Sequence, residues 1–268
     1  EDGVDRFGNL CLIQRNINSR FSNMSPEAKK STFKEMIEKG SLKLRIMSDL
    51  TQGANASQQW KESVFAQHEE EMLKFVVSYV LEHCKSEIEF CDKFVEKGLL
   101  DKLTKLVNSN FTRISHKDVV DILKAAPNKW EFEPTYLDDI AKEHEKYITE
   151  YFNGPVFITN WPKDIKAYYM KLNPDNATVA AVDLVVPQAG ELMGGSQREE
   201  SYEKLLARME EMGVDASGID WYINLRKYGG CVHSGFGMGF ERLIMYLTGV
   251  ENIRDVIPYP RTPGNCEF

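Results

Sequence analysis

Residues 179–198 read VAAVDLVVPQAGELMGGSQR, and the fold turns on them. Positions 179–186 are apolar on both faces except for Asp183, the composition of a strand covered on both sides. A short turn leads into a second strand at 190–196, and strands adjacent in sequence with so short a connection pair most simply antiparallel. A lone carboxylate in a buried strand must be ionically satisfied or hold a raised pKa. Asp183 is therefore either a structural residue bonded to a turn or an arginine, or a functional one. Alternation along the second strand places Glu191, Met193 and Gly195 on one face, and a carboxylate beside bare backbone suits a magnesium-bound phosphate. Arg198, at that strand's end, is placed to grip a carboxylate or an amide carbonyl bidentately, or to pair with Glu199, Glu200 or Glu203.

Outward from this pair, PVFITN (155–160) and KAYYMK (166–171) read as further strands, and helices follow at about 199–212 and 240–248. The whole is α+β, an antiparallel sheet flanked by helices. Toward the amino end, apolar residues recur at helical spacing from Trp60 to about Cys84, and a second helix is read over about 88–107. The polar stretch 51–59, TQGANASQQ, reads as a linker, and Ser25-Pro26 caps a helix in a small, mainly helical opening segment. The expected division is thus 1–60 and 61–268.

The second informative stretch runs from His233 to Arg242, HSGFGMGFER. Glycines 235, 237 and 239 share one face of a strand and leave a flat floor on which a planar ring can lie. The first turn of the following helix brings Arg242 beside that floor, a combination suited to a nucleotide's base and phosphates. The spacing is not the dinucleotide-binding G-x-G-x-x-G, because the third glycine comes one residue early. His233 reads as a structural histidine.

Composition sets outer limits. With 268 residues, 42% of them hydrophobic and 28% charged, the chain can bury a large core or two modest ones. No run approaches the ~18–20 apolar residues of a membrane span, and the opening EDGVDRFGNL resembles neither a secretory nor a transit signal. A soluble, cytoplasmic protein is expected, and the start on Glu1 reads as a truncated or processed end. The cysteines at 11, 84, 91, 231 and 266 are scattered and read as reduced thiols, without a disulfide framework or a structural zinc. Residues 1–75 hold 11 basic and 11 acidic side chains, leaving 22 and 30 for the rest, so any nucleic-acid contact must come from a local basic patch.

Five stretches together, KFVVSYVLEHC, EFCDKFVEKGLLDKL, EHEKYITEYFNGPVFITNWPKDIKAYYMKLN, VDLVVPQAGELMGGSQREE, and the segment from WYINLRKYGG through GFGMGFER to RTPGNCEF, resemble the C-terminal part of the asparaginyl-tRNA synthetases. These are class II enzymes of the aspartyl/asparaginyl/lysyl subgroup, and the likeness runs from about residue 70 onward. GFGMGFER is similar to the family's third motif, and the ending RTPGNCEF looks asparaginyl rather than aspartyl. The resemblance implies a partial class II catalytic domain that activates asparagine with ATP and transfers it to tRNA. It implies that Glu191 binds the magnesium of ATP with help from Asp183, and that Arg198 reads the amino-acid side chain. Gly237, Gly239, Phe240, Glu241 and Arg242 would line the ATP site, with Glu191 and Arg242 as its catalytic groups. Such chemistry is positioning and charge neutralisation, and it needs no covalent nucleophile.

The departures from the family pattern matter as much. The first motif, a dimer helix in a homodimeric family, and the second, an R-x-E strand with an Arg-His loop, have no counterpart, and no R-x-E or R-H occurs in residues 1–80. The chain alone is accordingly expected to be inactive. An ATP- or amino-acid-binding regulatory paralogue is the alternative. Residues 1 to about 70, with RFGNLCLIQRNINSRFSNMSPEAKK and GSLKLRIMSDL, are similar instead to the tail of HNH nuclease domains in GmrSD-like restriction proteins. A nuclease-associated fragment is the third reading, although no histidine precedes His68 to serve as a metal ligand.

Overall fold

The computed structural model describes residues 62–229 and 232–265, and the chain divides into two units, Glu1–Val76 and Val77–Phe268. The helix expected at Ser25-Pro26 and the linker at 51–59 lie outside the described residues. The long helix expected near Trp60 is α1, Glu62–His83. The single helix read over 88–107 is two, α2 (Lys85–Phe94) and α3 (Leu99–Asn108). They part at Gly98, whose φ of 91° lies in the left-handed region. The Asp92 carboxylate fixes the corner by accepting from the Gly98 and Leu100 N–H groups at 3.1 and 3.0 Å.

Among the described residues five strands form one sheet in the order β1-β2-β3-β4-β5. They are β1 Thr112–Ser115, β2 Val156–Pro162, β3 Thr178–Val186, β4 Gly190–Gln197 and β5 Ser234–Met238. From β2 to β5 every pairing is antiparallel, while β1 joins β2 in parallel. Parallel neighbours need a crossover. It is built from α4 (His116–Ala125), capped by the Ser115 hydroxyl, and α5 (Lys142–Tyr151).

Those two helices cover one face of the sheet. Val119 and Leu123 of α4 and Ile148 of α5 meet Val156, Ile158 and Trp161 of β2 and Val179, Ala181 and Val185 of β3 in a buried cluster. At roughly 25 cal/mol per Å² of apolar surface removed from water, such clusters supply the dominant favourable contribution to folding.

Residues 166–171 do not form the strand expected of them. Lys166 closes a 3-10 turn at Lys163–Ile165, and Met170 and Leu172 pair with the sheet through single bridges to Arg198 and Val179 rather than a continuous ladder. The aromatic pair responsible for the strand-like look, Tyr168 and Tyr169, packs instead on Leu205, Met209 and Ile223 of α6 (Tyr202–Glu211) and α7 (Asp220–Lys227). The last helix, α8 (Phe240–Thr248), leaves β5 through Gly239, ends on left-handed Gly249 and packs against α2 and α3. Among the described residues no helix is long and apolar enough to cross a membrane.

Candidate functional site

Opposite residues in an antiparallel pair share a face of the sheet. Asp183 stands opposite Gly194, Gly194 opposite Gly237, and Ser196 opposite Gly235. One face therefore carries Asp183, Gly194, Ser196, Arg198, Gly235 and Gly237 in succession. Glu191 joins them through a register shift, since Leu184 pairs with Met193 but Val185 pairs with Glu191, leaving Leu192 as an extra residue. This corrects the expectation that Glu191 shares a face with Met193 and Gly195. Simple alternation fails at a bulge, and the bulge turns Glu191 toward Asp183.

The two carboxylates converge on bare backbone. A Cβ on Gly194 would lie 2.9 Å from Glu191 Oε1 and 3.1 Å from Asp183 Oδ1, so the glycine leaves a gap beside two hard oxygens. Asp183 Oδ2 is taken by the Lys166 ammonium at 2.7 Å, which itself lies 3.8 Å from the centre of the Trp161 ring. Burial pushes the Asp183 carboxyl up to about 6, with Lys166 opposing and the charge of Glu191 adding to the rise. One oxygen of Asp183 thus sits in a salt bridge while the other faces Glu191.

A third carboxylate, silent in the sequence pattern, joins this end of the face. Glu145, on α5, reaches across to Gly190, where a Cβ would meet its Oε2 at 2.5 Å, and it accepts a bond from the Glu191 backbone N–H. Burial and the Glu191 charge push it up to about 7, with Asp139 contributing and Arg242 opposing. The only local hint is its membership of a helix whose buried face otherwise reads as packing. Among the described residues no three such groups assemble into a ready metal-ligand set. Two carboxylate oxygens beside a gap nonetheless fit magnesium, which keeps several waters and shares substrate phosphates rather than demanding a full protein cage.

Arg198 is fixed from two sides. Its Nη1 donates to Ser196 Oγ at 2.6 Å and its guanidinium lies 4.6 Å from the centre of the Tyr169 ring. The glutamates offered as salt-bridge partners are engaged elsewhere: Glu199 with the Ser201 N–H, Glu200 with Lys171, and Glu203 with the Ser201 hydroxyl. A Cβ on Gly235 would sit 2.7 Å from Arg198 Nη2, so the glycine makes room for the guanidinium. The His233 carbonyl accepts from the Arg198 N–H at 2.9 Å, a backbone role for that histidine.

At the other end of the face, Arg242 Nη1 donates to the Glu191 carbonyl at 2.9 Å. Gly237 has open space where a Cβ would be, and Gly239 faces the stem of Arg242. Phe240, 68% exposed, and Glu241 open α8 at the edge of this floor. The sheet thus sets an acidic pair with an arginine beside it at one end, a glycine floor in the middle, and a second, aromatic-backed arginine at the other.

The family model for tRNA synthetases class II (D, K and N) matches residues 55–263, and that for the C-terminal domain of GmrSD restriction endonucleases matches residues 1–75. Over 200 residues the chain is 60% identical to the asparagine–tRNA ligase of Acholeplasma laidlawii, covering 74% of this chain and 43% of that protein. The corresponding protein of Clostridium novyi is 53% identical with the same coverage. A crystal structure of asparaginyl-tRNA synthetase from Pyrococcus horikoshii superposes with a TM-score of 0.65 at 38% identity, covering 77% of this chain and 47% of that one. The same enzyme complexed with asparaginyl-adenylate gives 0.64 at 37% identity. The chain spans less than half the length of the curated relatives it matches.

Proposed function

Because the chain belongs to the class II tRNA synthetases of the D, K and N group, we propose that this sheet face is the part of an asparagine-activating site that holds ATP, magnesium and the amino-acid side chain. The observation that carries the reading is the convergence of Glu191 Oε1 and Asp183 Oδ1 at Gly194, with Arg242 beside them and Arg198 along the same face. The asparaginyl-adenylate complex of the Pyrococcus horikoshii enzyme supports the choice of substrate.

Each residue then has a physical task. Glu191 and Asp183 hold magnesium, which when bound neutralises phosphate charge. The floor at Gly237 and Gly239 takes the adenine ring, with Phe240 and Glu241 at its border, and Arg242 presents a positive charge to ring and phosphates. Arg198, pre-positioned by Ser196 and Tyr169, offers parallel N–H donors to the side-chain carbonyl of asparagine. Ordering a guanidinium in advance lowers the entropy cost of gripping the ligand. The transferred partner would be tRNA. We further propose that residues 1–60 form a separate segment and 61–268 the synthetase part.

Groups that hold the outer parts of a substrate support binding, whereas groups at the reacting centre support rate. The family's second motif, whose arginine would act on the α-phosphate, and the residues that would surround the amino group have no counterpart, and no R-x-E or R-H occurs in residues 1–80. The chain assayed by itself therefore binds ligands but does not charge tRNA. Thermal shift tests the binding roles: asparagine stabilises the wild type and not Arg198→Ala, while ATP with magnesium stabilises Arg198→Ala and not Glu191→Gln. Equal stabilisation of all three proteins by both ligands would overturn the assignment. Asparagine-dependent pyrophosphate exchange by the chain alone would overturn the expected inactivity.

A further inference from the structure

Three residues outside the site as read from sequence form a connected support behind its acidic end. The Trp161 indole N–H donates to the Ile158 carbonyl at 3.1 Å, and its ring meets that of His116 of α4 at a tilt of 44°, with centroids 4.8 Å apart. On the Trp161 ring lies the Lys166 ammonium, 3.8 Å from the centroid, and that ammonium donates to Asp183 Oδ2 at 2.7 Å. The side chains of Lys166 and Asp183 are 16% and 11% exposed, so this pair is shielded from solvent on most sides. The backbone of Lys166 is held as well, since its N–H donates to the Lys163 carbonyl. That carbonyl also accepts from Arg208 of α6.

The consequence lies in the two oxygens of Asp183. Oδ2 is committed to Lys166, which leaves Oδ1 aimed at the gap over Gly194, where Glu191 Oε1 also arrives. A free carboxylate can rotate and offer either oxygen or both. Here the ammonium removes that freedom. We propose that Lys166 is the positioning residue of the acidic pair, fixing Asp183 so that one oxygen is presented, with Glu191, to a divalent cation. It touches neither cation nor nucleotide and acts through Asp183. Outer partners of this kind set ligand orientation, and losing them typically weakens metal binding by ~10–100-fold.

The inference rests on the reading of Asp183 and Glu191 as cation ligands, and the test separates the two. Manganese(II) binding to the full chain, measured by the loss of the free-ion electron paramagnetic resonance signal with and without ATP, is the readout. Lys166→Met keeps an unbranched apolar side chain but removes the charge, and it should bind manganese ~10–100-fold more weakly than the wild type. Lys166→Arg should recover most of the loss, and thermal melting checks that each variant is folded. In an Asp183→Asn background, Lys166→Met should add no further loss, which a merely structural role would not reproduce. Binding by Lys166→Met as tight as or tighter than wild type, or a full additional loss in the Asp183→Asn background, would overturn the proposal. Absence of manganese binding in the wild type would instead remove the cation reading itself, and this inference with it. If Lys166→Met fails to fold, Lys166→Gln carries the same comparison.

Discussion

Arg198 shows how small side chains make a specific one possible. Its guanidinium sits between the Ser196 hydroxyl and the Tyr169 ring, in the space where a Cβ on Gly235 would come to 2.7 Å. Gly235→Ala should push the guanidinium out of that slot while leaving the fold intact, abolishing the asparagine-induced thermal shift without lowering the melting temperature by more than a few degrees. Retention of the full shift would show that the slot is not what fixes Arg198. Glu145 gives a pH signature at the same scale. Its folded-state pKa is pushed up to about 7 from the ordinary carboxylate range. Below that range both folded and unfolded chains are protonated, and the residue is neutral toward stability. Between it and about pH 7 the unfolded chain releases its proton while the folded one keeps it, so stability falls as pH rises through this window and stays lower above it. Glu145→Gln should therefore gain on the wild type between pH 5 and pH 8, by the order of 1–3 kcal/mol in urea denaturation after allowing for partial exposure. A difference that does not change with pH would contradict the shift. Asp183 was legible in the sequence because it is the one charge in an apolar strand. Glu145 and Lys166 were not, because they come from other elements and only tertiary packing brings them to the site.

The elements were legible where periodicity is strong and obscure where a few residues decide. Strands β2, β3 and β4 and helices α1, α6 and α8 announce themselves by alternation or by apolar spacing. The four residues of β1, TRIS, carry a single apolar side chain and give no such signal, so the parallel addition to the sheet could not be read. The bulge at Leu192 is equally silent, yet it decides which face Glu191 occupies. At the corner between α2 and α3, helical spacing continues across Gly98 and hides the break. Gly98→Ala tests it: with φ at 91°, an alanine there should cost about 1 kcal/mol in chemical denaturation, despite alanine's better helix propensity. Gly98→Asn should cost less, because asparagine tolerates the left-handed region. A stabilised alanine variant would mean that α2 and α3 are one continuous helix.

At the scale of the molecule, the sheet is both core and site. Ile158 is fully buried among the helices of the crossover and stands directly opposite Asp183 in the pairing of β2 and β3. Ile158→Ala should cost 2–5 kcal/mol by deleting buried methylenes and leaving a cavity, and it should weaken metal binding as well, since Trp161 and Asp183 are both seated on that strand pair. A cost below ~1 kcal/mol would place the core elsewhere. Family membership and general architecture were readable from sequence, because the motif-bearing strands and helices lie in one continuous stretch. Whether this face holds magnesium and a nucleotide together is decided by calorimetric titration of ATP into the full chain at increasing magnesium. Binding that requires magnesium in the wild type and is lost in an Asp183→Asn, Glu191→Gln double variant is the predicted result; ATP binding of equal strength in both proteins, with or without magnesium, would contradict it.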